Sequence, residues 1–432
     1  MIVKSAKRLR GKIRLPGDKS ISHRAVMLSA LSQGTSRISN FAASADCTST
    51  LNCLSGLGVE FERETDQVTI TGRGKRGLMM PSAPLDCGNS GTTMRLLSGV
   101  LAGQPFESVL IGDESLSKRP MKRIIVPLTE MGAEIDSIDG HAPLTINGHS
   151  NLRSIEYRLP VASAQLKSCI LLAGLFADGE TTVIETVPTR DHTERMLKGF
   201  GVNLRSTELP DGTRISITGD SELSACDVEV PSDVSSAAFF LAAAACLDGS
   251  YVEIPNVGLN PTRAGVIDVL RRFGADFEMR DESESGGEPI GTIIVKGGSS
   301  LTSSRDNTVK GEIVANLIDE VPILAVFGTQ VEGGIEIRDA GELRVKESDR
   351  IASVVENLRR MGADVEEFED GLKVGKSDLA GATIDSFGDH RIAMAFAIAG
   401  LFAKGETVIG GAECAAVSFP GFFEVLDSVI EQ

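Results

Sequence analysis

The chain has no tryptophan, two tyrosines and only 4% aromatic residues. Proteins that hold nucleic acid stack bases on aromatic faces and meet phosphates with basic stripes. Here 60 acidic residues outnumber 43 basic ones and the net charge is −17, so no nucleic-acid partner is expected. No apolar run approaches the roughly 20 residues of a bilayer span, and no membrane partner is expected either. The opening MIVKSAKRLRGKIRLPG lacks the apolar core and small-residue cleavage site of a secretory signal, which points to the cytoplasm. Cys47, Cys53, Cys87, Cys169, Cys226, Cys246 and Cys414 are odd in number and never form a CxxC pair, and the five histidines show no HExxH spacing. Reduced thiols and no metal site are the expectation. Any anion site must therefore be a local exception in an acidic protein.

What the chain does have is a repeat. At 432 residues it is too long for one ordinary core, and two domains are expected. Six times the sequence passes through an Ala/Leu-rich apolar helix, a glycine turn, a β-branched strand, an amphipathic helix and a further strand. The turn glycines Gly34, Gly103, Gly179, Gly249, Gly334 and Gly405 recur roughly every 70 to 85 residues, one supersecondary unit each. The first helix of each copy, as in AAFFLAAAACLDG or RIAMAFAIAGLFAKG, is apolar all round and so must be enclosed. The second helix, as in VIDVLRRFGADFE, shows one apolar stripe. This order predicts an α/β fold of two domains with three repeats each, buried helices inside and sheets outside.

Polar residues gather where the buried helices begin: Lys19 and Ser20; Asn89, Ser90, Gly91 and Thr92; Ser163 and Gln165; Ser235 and Ser236; Asp319; Asp389, His390 and Arg391. A helix N-terminus leaves amide N–H groups unpaired and carries about half a positive charge, so several facing one cleft would bind anions before any side chain is counted. The second helix of most copies also starts at a cation: Arg119, Arg190, Arg263, and Lys346 with Arg350. The stretch LPGDKSISHR is no nucleotide P-loop, since Asp18 stands where the glycine before the lysine would be.

Eight segments carry a resemblance: LPGDKSISHR, LDCGNSGTTMRLL, IGDESLSKRPM, ASAQLKSCILLAGL, TRDHTERML, IDEVPILA, LRVKESDR and DHRIAMAFAIAGL. In this order, end to end, they resemble the 5-enolpyruvylshikimate-3-phosphate synthase family, with GDKSISHR, SAQLKS and TRDHTE closer to its second bacterial class. The resemblance implies an inside-out α/β barrel of two domains, residues 14–233 forming one and residues 1–13 with 234–432 the other. It implies transfer of the enolpyruvyl group of phosphoenolpyruvate to the 5-hydroxyl of shikimate 3-phosphate, with no cofactor and no metal, by a monomer whose substrates lie in a cleft. First-class members carry a lysine just before the final S/T-F-P, where this chain has Val417.

The same resemblance assigns roles. Lys19 touches both substrates; Ser20, Arg24, Ser163, Ala164, Gln165, Arg190, Asp319 and Lys346 hold shikimate 3-phosphate. Gly91, Arg119, Arg350 and Arg391 hold phosphoenolpyruvate, and Gln165 reaches it too. Phosphoenolpyruvate becomes electrophilic only when its methylene carbon is protonated, so the reaction needs an acid at carbon and a base at the hydroxyl. Glu347 is assigned as the acid, Asp319 as the base and Lys19 as the proton donor to the departing phosphate. Simpler readings stand beside these. RVKESDR would place Lys346 and Arg350 four residues apart on one face of a salt-bridged helix, Asp319 could be an ordinary N-cap, and Arg95 a packing residue. An enolpyruvyl transferase acting on UDP-N-acetylglucosamine is the nearest rival, but its loop cysteine has no counterpart in GDESLSKRPM. An RNA terminal-phosphate enzyme and a nonenzymatic anion-binding scaffold are more distant.

Overall fold

The computed structural model describes residues 1–149, 151–302 and 306–431; Gln432, the last residue of the sixth repeat, lies outside them. The chain forms two compact units. One comprises residues 17–231 with Glu284–Glu288; the other comprises Met1–Pro16, Ser232–Ser283 and Pro289–Gln432. Each has its own apolar core.

The 17–231 unit is a ring of three repeats. Helices Lys19–Leu31, Gly91–Ala102 and Ala164–Gly174 form its interior, buried on every side beyond their first residues. Alanine, serine and glycine along them let backbones approach closely: a Cβ on Gly99 would lie 2.3 Å from the carbonyl oxygen of Cys169 on the neighbouring helix. Helices Ala45–Gly56, Lys122–Glu130 and His192–Gly199 bury one stripe only. Each buried helix is followed by a strand that pairs with an antiparallel hairpin on one edge and a short parallel strand on the other. The short strand Val228–Glu229, at the end of the third repeat, pairs with Ile38 and Ser39 of the first and closes the ring.

The other unit repeats the plan around Val234–Cys246, Val321–Gly328 and His390–Phe402. Its N- and C-terminal segments complete two of its three sheets. Ile2–Lys4 pairs antiparallel with Glu406–Gly410 of the sixth repeat. Arg8–Lys12 runs parallel to Tyr251–Gly258, with Ile430–Glu431 on its other side. The last strand of the sixth repeat thus joins the sheet of the fourth. The α/β class, two units and six enclosed helices are as the sequence implied.

Candidate active site

Five of the six buried helices are capped by a side chain, three of them from the polar clusters and two by the aspartates beside them, Asp18 and Asp233. The carboxylates of Asp18, Asp233 and Asp389 accept from the amides of Ile21, Ser235 and Arg391, each at 2.9 Å. The hydroxyls of Ser90 and Ser163 accept from Thr93 and Leu166. The fifth helix, Val321–Gly328, has no side-chain cap; a 3₁₀ turn, Ile318–Glu320, leads into it with Pro322 in the first helical turn. Asp319 is therefore not an N-cap.

In the 17–231 unit, Lys19 Nζ donates to Asp46 Oδ2 at 2.9 Å, from the first turn of the neighbouring 45–56 helix. Thr93 Oγ1 contacts the Asp46 carbonyl and bonds to Ser90, joining this pair to the head of the 91–102 helix. There Gly91 faces two guanidinium groups: a Cβ would stand 2.8 Å from Arg95 Nη1 and 3.4 Å from Arg119 Nη1. Arg119 Nη2 donates to Asn89 Oδ1 at 2.8 Å. Arg95 Nη1 donates to Gln165 Oε1 at 2.7 Å, while Gln165 Nε2 donates to Thr92. Ser163, Ala164 and Gln165 stand at the head of their own helix. Arg24 is buried. Its Nε, Nη1 and Nη2 donate to Thr193 Oγ1, the Ser20 carbonyl and Ser168 Oγ at 2.7 to 2.8 Å. Burial pulls its pKa down to about 10, with Glu194 opposing the fall and Arg190 adding to it, so Arg24 stays protonated at neutral pH.

In the other unit one guanidinium organises the acids. Arg350, buried within the head of the helix Arg350–Arg360, donates from Nε to Asp389 Oδ2 at 2.8 Å, from Nη1 to Asp319 Oδ1 at 3.2 Å and from Nη2 to Glu347 Oε2 at 2.6 Å. Burial alone would lower its pKa, but Asp389, Glu347 and Asp319 together drive it well upward, and Arg350 holds Asp389 below the usual carboxylate range despite its burial. Arg391 Nη1 donates to the Asp319 carbonyl at 3.1 Å and approaches Glu320 Oε1 at 3.4 Å. Glu320 also pairs with Arg263.

Asp319, Glu347, Arg350 and Arg391 thus form one contact set. Lys19, Ser20, Arg24, Gly91, Arg119 and Ser163 to Gln165 lie along a second, with Arg190 near Arg24. Lys346 is placed differently from the helical expectation. Asp349 caps the helix through the Ala352 amide, so it begins at Arg350; Lys346 ends a 3₁₀ turn, Gly341–Val345, and pairs with Glu342 at 3.3 Å. Arg119 likewise does not start a helix, since the one expected there begins at Lys122. The sequence reading left out Asp46, and it gave Arg95 no binding role although its position one turn beyond Gly91 was a usable signal. Cys47 is beside Lys19, its thiol donating to the Lys19 carbonyl at 3.7 Å. Burial pushes that thiol up to about 12, which leaves it no use as a nucleophile. Among the described residues, no His, Cys, Asp and Glu group has a metal-binding arrangement, and no helix is long and apolar enough to cross a membrane.

Both sets pair clustered cations with helix N-termini, which suits small polyanions, and the set around Arg350 adds carboxylates able to move protons. Comparison with known proteins agrees. A family model described as EPSP synthase (3-phosphoshikimate 1-carboxyvinyltransferase) matches residues 3–426. The 3-phosphoshikimate 1-carboxyvinyltransferase of Koribacter versatilis is 51% identical over 432 residues, covering 100% of this chain and 99% of its own. That of Salinibacter ruber is 52% identical, over 99% and 98%. A solved EPSP synthase from Acinetobacter baumannii superposes with a TM-score of 0.89 at 45% identity, covering 99% of this chain and 97% of that one.

Proposed function

The chain belongs to the EPSP synthase family, and from that premise we propose how its residues divide the work. It is an enzyme that transfers the enolpyruvyl group of phosphoenolpyruvate to the 5-hydroxyl of shikimate 3-phosphate, releasing phosphate. The two substrates bring two carboxylates and two phosphates, each phosphate carrying about −1.5 to −2. The reading gives shikimate 3-phosphate to Lys19, Ser20, Arg24, Ser163, Ala164, Gln165 and Arg190, with Asp319 and Lys346 at its ring. It gives phosphoenolpyruvate to Gly91, Arg119, Arg350 and Arg391, with Lys19 and Gln165 serving both. Of the five N–H groups on Arg24, the three bonds named above leave one on each of Nη1 and Nη2 for a phosphate oxygen.

The observation that carries the proton assignments is the sharing of Arg350 between Asp319 and Glu347. Each acid is tied to the same cation. An anion arriving at Arg350 competes for those N–H groups and loosens both acids as the substrate is seated. Glu347 then delivers a proton to the methylene carbon, and Asp319 accepts the proton of the attacking 5-hydroxyl. The carbon–oxygen bond forms and gives a tetrahedral adduct. Elimination returns a proton from the methyl group to base and expels phosphate, which Lys19 protonates. The cations stabilise the adduct's charge throughout. The protein is read as a cytoplasmic monomer that needs no cofactor and binds neither nucleic acid nor membrane.

Asp319→Ala and Glu347→Gln are expected to keep both substrates bound by calorimetry while losing about 10²- to 10⁴-fold in turnover. Near-normal turnover in both would reject the assignment. A phosphate-release assay offering UDP-N-acetylglucosamine in place of shikimate 3-phosphate is expected to show no turnover.

A further inference from the structure

Two of the motifs contain residues that the reaction leaves unused: Lys167 and Ser168 in SAQLKS, and His192, Thr193 and Glu194 in TRDHTE. In the fold the motifs lock together. The Lys167 side chain is fully buried, and its Nζ meets Glu194 Oε1 at 2.6 Å and Glu185 Oε1 at 3.0 Å. Glu185 reaches back to the loop before the 192–199 helix, accepting from the Thr189 amide and hydroxyl, and Lys167 Nζ contacts the Thr189 carbonyl at 3.4 Å. Arg190 is the next residue. On the other side, Thr193, adjacent in sequence to Glu194, and Ser168, adjacent to Lys167, touch each other at 2.6 Å, and both accept from Arg24.

A lysine enclosed by two carboxylates is costly to bury for stability alone; apolar residues of similar volume often do as well or better. Its placement is more informative. One ammonium fixes the loop bearing Arg190, the helix led by Ser163, Ala164 and Gln165, and the two hydroxyls that orient Arg24. The lysine and its acids also leave a local excess of one negative charge behind Arg24.

We propose that the buried Glu185–Lys167–Glu194 cluster is a positioning element for the shikimate 3-phosphate site: it aims Arg24 and Arg190 at the phosphate and touches neither substrate itself. This rests on the reading that Arg24 and Arg190 bind that phosphate. Burial raises the Glu194 carboxyl against the pull of Lys167, in keeping with a pair held in place rather than exposed to solvent.

The test uses the full chain. Lys167→Met removes the anchor, and Glu194→Gln keeps the shape of the pair while removing one charge. Both are expected to raise the KM for shikimate 3-phosphate on the order of ten-fold while kcat and the KM for phosphoenolpyruvate move less than about two-fold. Leu171→Ala, on the same buried helix but outside the cluster, serves as a stability control. It is expected to lower the melting temperature without that selective shift. Glu194→Gln should also lose its effect in an Arg24→Lys background, because the cluster acts through Arg24. If Arg24→Lys alone leaves the shikimate 3-phosphate KM unchanged, the binding reading fails. If Arg24→Lys raises that KM but Glu194→Gln and Lys167→Met change it no more than the control does, the positioning proposal alone fails. Should Lys167→Met not fold, Glu194→Gln decides by itself.

Discussion

Gly91 shows how much one absent methyl can decide. A Cβ there meets the guanidinium ends of Arg95 and Arg119, and those ends can swing aside at little cost to the fold. Gly91→Ala is therefore expected to leave the melting temperature within a few degrees of the parent. It should raise the KM for phosphoenolpyruvate on the order of ten-fold, equivalent to about 1.4 kcal/mol, with the shikimate 3-phosphate KM little changed. Initial-rate kinetics with each substrate varied in turn would check it. His23 makes a different point at the same scale. It is wholly buried, with Nδ1 at 2.6 Å from Thr50 Oγ1, and burial brings its pKa down to about 3. The folded protein keeps it neutral, while the unfolded chain takes up a proton below about 6.5. Its contribution to stability is complete above pH 6.5 and erodes as pH falls toward 3, at about 1.4 kcal/mol per unit. Unfolding at pH 7 and pH 5 should show a smaller pH dependence in His23→Gln than in the parent.

At the scale of elements, the 91–102 and 164–174 helices touch backbone to backbone at Gly99, where a Cβ would meet the carbonyl oxygen, carbon and Cα of Cys169. Backbone cannot rotate away as a side chain can, so Gly99→Ala should cost about 1–3 kcal/mol, seen as a lower midpoint in thermal or urea unfolding. Since these helices present Gly91 and Gln165 at their heads, activity should fall along with stability. The helices themselves were legible in the sequence because enclosure requires apolar residues on every side, and the polar heads stood out against that background. The register of LRVKESDR was not. A helical period fits Lys346 and Arg350, but the Asp349 carboxylate captures the Ala352 amide and starts the helix later, a local competition that periodicity does not reveal. The contacts from Lys19 to Asp46 and from Lys167 to Glu194 join residues 27 apart; each pairing depends on which faces of two helices meet, and spacing alone does not fix that.

For the whole molecule, two separate cores mean that ligands can be followed unit by unit. Shikimate 3-phosphate alone is expected to slow amide exchange most strongly at the heads of the 19–31 and 164–174 helices and in the 189–193 segment, with a smaller effect around residues 389–394. Hydrogen-exchange mass spectrometry would read this, and equal protection at the two places would contradict the proposed division of contacts. Six repeats could be read from the spacing of the glycines and two domains from the chain length. Which strand completes which sheet could not, because the partners of residues 2–12 lie in the 250s, the 400s and at 430–431. This pairing sets a timetable for a chain made from its amino end. The ring of residues 17–231 has nearly all its partners once its own stretch has emerged from the ribosome. The first strands must wait, unpaired, until some 240 to 420 further residues have been added, so translation speed and early chaperone contact at that segment should govern the yield of finished protein.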